Sequence, residues 1–168
     1  MKLIGIAGYS GAGKTTLIKR LIPALTDQDI TVSTIKHAHH AFDVDKPGKD
    51  SFEHRKAGAS QVLVSSGARW ALMSELRDAP EPGLEELVAQ MAPVDLLLIE
   101  SFKTAPHPKL EIYRESLGKP RLESPNLVGV VSDRPVETEL KQFDLNNPEA
   151  WARELMDLAV SPKAVDWG

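Results

Sequence analysis

The 168-residue chain has no cysteine. Disulfides, thiolate metal centres and a cysteine nucleophile are thereby excluded, and metal chemistry would have to use histidine, aspartate or glutamate. Also missing is an uninterrupted apolar run of the roughly 18 residues that a membrane span requires. The first residues run straight into a strand-like segment with no signal-peptide architecture, so a cytoplasmic protein with no membrane partner is expected. There is no basic surplus either: 20 lysines and arginines face 24 acids, a formal charge of -4. Neutralising nucleic-acid phosphates takes the opposite balance, so no nucleic-acid partner is expected.

What is present has the composition of a globular domain, 42% apolar and 26% charged. A chain of this length buries a substantial core. One domain over residues 1–160 is expected, with a frayed tail over 161–168 and no repeat, linker or low-complexity tract.

Periodicity then orders the elements. The apolar run 2–7 reads as a strand, followed by a glycine-rich turn and a helix with Leu17, Leu21 and Leu25 at helical spacing. Pro23 is expected to kink or end that helix before a second strand, ITVSTIKH (30–37). A polar loop covers 38–50, and a short helix 51–59. QVLVSS (61–66) and RWALMSE (69–75) alternate around Gly67 as an antiparallel hairpin. Beyond DAPEPG come a helix over 84–91, a buried parallel strand DLLLIE (95–100), an amphipathic strand LEIYRE (110–115) and a buried strand NLVGVVSD (126–133). A last helix is expected over 148–159, with Trp151, Leu155 and Leu158 on one face. The pattern is α/β: a mostly parallel sheet flanked by helices, binding ligands beyond the carboxyl ends of its strands.

Residues 8–16, GYSGAGKTT, satisfy G-x-x-x-x-G-K-[ST] and sit between that first strand and helix, the setting in which the motif is a phosphate-binding P-loop. Gly8, Ser10, Gly11, Ala12, Gly13, Lys14, Thr15 and Thr16 form the candidate cradle. The glycines let main-chain amides turn inward, Lys14 reaches the β and γ phosphates, and Thr15 offers a hydroxyl to Mg²⁺. Lys14, Thr15 and Glu100 are the candidate catalytic residues.

Such a site needs an acid at the end of a second buried strand. Glu100 ends DLLLIE and is the candidate Mg²⁺ residue alongside Thr15; a solvated strand terminus is the plainer reading. Asp95 starts the same strand, about 15 Å away, too far to serve the same metal.

Four of the five histidines fall between 37 and 54, among several acids and bases. Lys36, His37, His39, His40, Asp45, Lys49, Asp50 and Arg55 are candidate contacts for a second anion. A zinc or nickel site on His37, His39 and His40 is an alternative, and an ordinary wet loop a third. Arg55 is the nearest cation to act at the phosphates, across a dimer. The guanine-reading N-K-x-D of common GTPases does not occur. Asp133, ending NLVGVVSD, is the candidate for a guanine edge, and a turn cap before Pro135 explains it equally well.

Together GYSGAGKTTL (8–17), IKHAHHAFDVDKPGKDSFEHRKAGA (35–59), RWALM (69–73) and LLLIESFK (96–103) closely resemble the MobB family of molybdopterin-guanine dinucleotide biosynthesis adaptors, over most of residues 1–133. Ser101 stands where a glycine is commoner in the family-like E-[SG]-F-K stretch. The resemblance implies a P-loop fold akin to the metal-insertion and signal-recognition GTPases, a homodimer, GTP and Mg²⁺ as ligands, and weak intrinsic hydrolysis. It also implies a role beside the molybdenum cofactor guanylyltransferase, with molybdopterin and the molybdenum-inserting protein as further partners. Two other classes remain: a metal-delivery GTPase using the histidine segment, and a small-molecule kinase. The kinase needs an arginine-rich lid, and RESLGKPR (114–121) supplies too few arginines.

Overall fold

The apolar run at the N-terminus is β1 (Lys2–Ala7), and the helix that follows the glycine-rich turn is α1 (Lys14–Thr26). The computed structural model describes residues 1–38 and 42–168, and these divide into two compact units. The larger contains Met1–His37 and Gly83–Gly168, the smaller Ala38–Pro82. Among the described residues no helix is long and apolar enough to cross a membrane.

In the larger unit β1 is joined by β2 (Val32–Lys36), and the smaller unit supplies α2 (Asp50–Lys56), β3 (Gln61–Ser65) and β4 (Trp70–Ser74). Next in the larger unit come α3 (Leu84–Ala89), β5 (Leu96–Glu100), β6 (Lys109–Tyr113), β7 (Leu127–Ser132), β8 (Gln142–Asp144) and α4 (Leu155–Leu158). Its six strands lie in the order β2-β5-β1-β6-β7-β8, every pairing parallel. Parallel strands covered on both faces need apolar residues at successive positions, and Leu96 to Ile99 are all fully buried.

Alternation assigns those residues to two cores. Ile4, Ile6, Leu96 and Leu98 pack with Leu17, Leu21 and Leu25 of α1 and with Trp151 and Leu155. Leu3, Leu97 and Ile99 face the other way, onto Leu84 and Val88 of α3. A fully buried leucine or isoleucine contributes about 2 kcal/mol, so these two layers fix the sheet that carries the site.

Pro23 does not end α1, which continues to Thr26 and is capped by Asp27, with Asp29 turning the chain at φ 59° just beyond. A proline this late in a helix forfeits one hydrogen bond, and burial of Leu21 and Leu25 on either side offsets it. The single helix expected over 148–159 is instead two 3-10 turns, Pro148–Ala150 and Ala152–Glu154, running into α4. Trp151 breaks it at φ -123°, ψ 3°, where the indole packs on Phe143 and donates to the Asp144 carbonyl at 2.9 Å. The segment after Ser161, expected to fray, carries a 3-10 turn at Pro162–Ala164, and Val165 and Trp167 pack on the Leu3 and Leu97 core.

LEIYRE is not amphipathic in place. β6 is buried from Lys109 to Ile112, because Arg121 at 2.5 Å and the Leu122 amide at 2.6 Å satisfy the Glu111 carboxylate while loop carbonyls hold Lys109. Within the smaller unit the expected hairpin is present, paired from Gln61↔Ser74 to Ser65↔Trp70 and closed by Ser66.

Candidate functional site

Every strand of the parallel sheet ends on the same side, so the turns after β1, β2, β5, β6 and β7 collect there. The turn after β1 is the glycine-rich loop. Gly11 and Gly13 lie at φ 82° and 101°, where a side chain is strained. Gly13 is the N-cap of α1, with no side-chain cap and no acid in the first turn, so the leading amides of a 13-residue helix are left for an anion. Gly8 is buried, Ser10, Thr15 and Thr16 are exposed, and the fully buried Ala12 pins the loop to the core.

Lys14 folds back over this loop, its Nζ donating to the carbonyls of Gly8 at 2.9 Å and Tyr9 at 3.1 Å. Burial holds its pKa below the ordinary lysine value; Glu100 opposes the shift, and the charges of Lys103 and Lys36 add to it.

The turn after β5 places Glu100, 7% exposed, against the loop. Thr15 Oγ1 donates to Glu100 Oε1 at 2.8 Å, and Lys36 Nζ, at the end of β2, stands 3.4 Å from the same oxygen. Hydroxyl and carboxylate oxygens are hard donors, the set that Mg²⁺ takes while keeping its remaining positions for water and phosphate. Directly after Glu100 two non-glycine residues adopt left-handed backbone, Ser101 at φ 78° and Phe102 at φ 49°. They turn the chain so that Lys103 Nζ lies 4.6 Å from the centre of the Tyr9 ring in the glycine-rich loop. Asp95 binds the amide and hydroxyl of Thr31 at the opposite end of β5, as its place in the strand required.

The remaining candidates separate. Lys36 joins Glu100, and the His37 ring packs on Phe102 at 4.8 Å. His39 and His40 lie outside the described residues. Arg55 is engaged within the smaller unit by Asp43 at 2.8 Å, Glu75 at 2.9 Å and Asp45 at 3.5 Å. Asp45 also accepts from Ser51 at 3.0 Å, Lys49 is the N-cap of α2, and Asp50 opens its first turn. Asp133, just past β7, lines a pocket of about 360 Å³ with Ser132, Gln142, Phe143 and Asn146.

Three residues escaped the sequence reading. Arg114, directly after β6, donates from Nε to the Ala12 carbonyl at 3.2 Å. Its place at a strand's carboxyl end was the available signal. Lys109 is wholly buried and its Nζ donates to the carbonyls of Lys103, at 3.2 Å, and Ala105. His107 is also wholly buried, its ring against Gly5 of β1, where a Cβ would stand 2.3 Å from Nε2. Burial, helped by Lys109, lowers its pKa to about 3. Nothing in the local pattern marks either residue.

Known proteins carry the same plan. The family model described as "Molybdopterin guanine dinucleotide synthesis protein B" matches residues 3–133. The molybdopterin-guanine dinucleotide biosynthesis adapter protein of Escherichia coli K12 is 44% identical over 155 residues, covering 89% of each chain. Its counterpart in Haemophilus influenzae is 43% identical over 148 residues, 86% of this chain and 82% of that one. The crystal structure of Bacillus subtilis MobB superposes with a TM-score of 0.74 at 25% identity, over 95% of this chain and 98% of that one. A family model that matches residues 3–133 and 44% identity over nearly nine-tenths of the chain have one explanation: the chain belongs to the molybdopterin-guanine dinucleotide synthesis protein B family.

Proposed function

We propose that this chain is a GTP-binding adaptor of molybdopterin-guanine dinucleotide synthesis, holding GTP with Mg²⁺ in the loop over residues 8–16 and hydrolysing it slowly. The adaptor role follows from relatives that bear that name over most of their length. The nucleotide is supported chiefly by one contact, the 2.8 Å bond from Thr15 to Glu100, which joins the phosphate loop to the acid of a neighbouring strand.

In this reading Lys14 exchanges the carbonyls of Gly8 and Tyr9 for the β and γ phosphate oxygens, and the leading amides of α1 take the rest. Thr15 and Glu100 are the residues that would hold Mg²⁺, which when bound supplies charge neutralisation between the phosphates. Lys36 balances the charge of Glu100 from 3.4 Å. Among the described residues no glutamine bonds Lys14, Thr15 or Glu100, and Arg55 is spent on three acids, so slow hydrolysis is expected. The partner is a molybdenum cofactor guanylyltransferase, with the molybdenum-inserting protein and molybdopterin beside it. The protein acts as a homodimer in the cytoplasm.

Calorimetry with GTP, with and without Mg²⁺, tests the site on wild type, Lys14→Ala and Glu100→Gln. Lys14→Ala is expected to abolish most binding. Glu100→Gln keeps the shape and the Thr15 contact but loses a charge, and is expected to reduce the Mg²⁺-dependent part by about 10- to 100-fold. Binding that ignores both substitutions refutes the assignment.

A further inference from the structure

Arg114 reaches two places at once. Its Nε donates to the Ala12 carbonyl on the phosphate loop at 3.2 Å, and its Nη1 stands 3.6 Å from Asp133 Oδ2 on the turn after β7. Its Nη2 and Nε lie 3.7 and 4.0 Å from where a Cβ on Gly13 would stand, so the guanidinium packs close against the loop. The group is planar and permanently charged, so two anchors fix its whole fork. Side-chain exposures of 37% for Arg114 and 27% for Asp133 put the pair at the rim of the site, within reach of a ligand.

Asp133 in turn lines the pocket of about 360 Å³ beyond β7 and β8. That volume lies within the range of small-ligand sites and admits a nucleobase. A second tie runs to the same pocket from the phosphate loop. Arg20, one helical turn past Thr16, donates from Nη2 to the carbonyl of Asn146, a lining residue, at 3.0 Å. Phosphate loop and pocket are therefore held in register from two directions, by Arg114 from β6 and by Arg20 from α1.

An ionised carboxylate only accepts hydrogen bonds. The Watson–Crick edge of guanine offers two adjacent donors, a ring N–H and an amino group, to such an acceptor. Adenine presents a ring nitrogen lone pair at the equivalent place, which faces the carboxylate with no donor and is disfavoured there.

Resting on the GTP-binding reading above, we infer that Arg114 is a positioning residue for base selection: anchored on the Ala12 carbonyl, it holds the Asp133 carboxylate at the β7 pocket, where that carboxylate reads guanine. Phe143, 5% exposed and lining the same pocket, supplies apolar surface for the base. The selection is thus made by an acid outside any N-K-x-D pattern, and its aim depends on an arginine from a neighbouring strand.

The test is calorimetry on the full chain with Mg²⁺ and GTP, ATP or inorganic tripolyphosphate, using Arg114→Ala, Arg114→Lys, Asp133→Asn and the double variant Arg114→Ala/Asp133→Asn. Thermal melts establish that each variant is folded, which the exposure of both side chains favours. Wild type is expected to prefer GTP. Arg114→Ala is expected to lower the GTP-to-ATP affinity ratio by about fivefold, the size set by a partly exposed ion pair. Arg114→Lys keeps the charge without the fork and should fall between. The double variant should show no lower ratio than Asp133→Asn alone, because the arginine acts through that acid. An additive double variant, an Arg114→Ala protein that loses GTP and ATP equally, or an unchanged ratio overturns the inference, as does a wild type without base preference. Wild type that fails to bind even tripolyphosphate overturns the phosphate site itself, and is distinguished by that probe.

Discussion

Lys109 has no exposed surface, and its ammonium rests on two main-chain carbonyls rather than on a carboxylate. Burial pushes its pKa from 10.5 down to about 8. In the unfolded chain the same group keeps its ordinary value. Between pH 8 and 10.5 the unfolded state therefore holds a proton that the folded state has released, and stability rises with pH across that window. The difference in pKa, at about 1.4 kcal/mol per unit, amounts to about 3 kcal/mol. Below pH 8 both states are protonated and the term is a constant cost.

Lys109→Met removes the titrating group at similar volume but leaves the Lys103 and Ala105 carbonyls without their donor, a loss of about 1–3 kcal/mol each. Near pH 7 the loss and the relief partly cancel. Urea unfolding at pH 7, 8, 9 and 10 on both proteins separates the two effects, since only the charge term varies with pH. Wild type should gain on the variant by about 2 kcal/mol or more from pH 7 to pH 10. Parallel profiles would mean that the ammonium is solvated in the folded state, and would refute the account of the loop it holds.

Three further outcomes follow from the geometry. Ser101→Gly is expected to stabilise the protein by about 1 kcal/mol, since φ 78° suits glycine and the bond from its amide to the Ile6 carbonyl survives; a melting temperature that falls refutes the strain. His107 has both ring nitrogens buried without partners, and with a folded pKa of about 3 against 6.5 unfolded, stability should drop as pH falls from 6.5 towards 3. His107→Leu should flatten that acid limb in urea titrations, and an equally steep variant contradicts the assignment. The hairpin of the smaller unit exposes Leu63 at 59%, Trp70 at 68% and Leu72 at 47%, more apolar surface than a lone hairpin tolerates. Sedimentation should show a wild-type dimer that Leu72→Glu converts to monomer, and a monomeric wild type at micromolar concentration removes the proposed homodimer.

The sequence exposes those parts of the fold that depend on local chemistry. The glycine-rich loop between β1 and α1 is legible because its glycines, Lys14 and Thr15 occur at fixed spacing between a strand and a helix. Glu100 is legible because it closes an unbroken apolar run, which also tells its end of the strand from that of Asp95. What escapes depends on distant partners. β8 is three residues long with only Phe143 apolar, and exists because β7 offers it an edge. β6 looks amphipathic because Lys109 and Glu111 alternate with leucine and isoleucine, yet carbonyls of the 103–105 segment and Arg121 make both burials possible. Arg55 reads as a spare cation until Asp43, Asp45 and Glu75 are found around it.

The distribution of charge shows how an acidic protein could present the proposed anion site. The chain carries -4 in all, yet among the described residues the carboxyl edge of its sheet gathers Lys14, Lys36, Lys103 and Arg114 together with Glu100, Asp133 and Asp144. Each cation already has a partner there: Lys14 two carbonyls, Lys36 the Glu100 carboxylate, Lys103 the face of Tyr9, Arg114 the Ala12 carbonyl. In the proposed reading a polyphosphate entering this edge would exchange contacts, its affinity being the difference between strong ionic bonds gained and weaker ones given up. Exchange of that kind favours a ligand carrying several charges on one chain. On that reading a single phosphate would displace Lys14 alone, whereas a triphosphate would draw on Lys14, the α1 amides and the Thr15–Glu100 pair together. For such a ligand the loop would be selective without being rigid: Ala12 in the core and Arg114 behind the carbonyl fix the backbone, and the lysine side chains can trade partners.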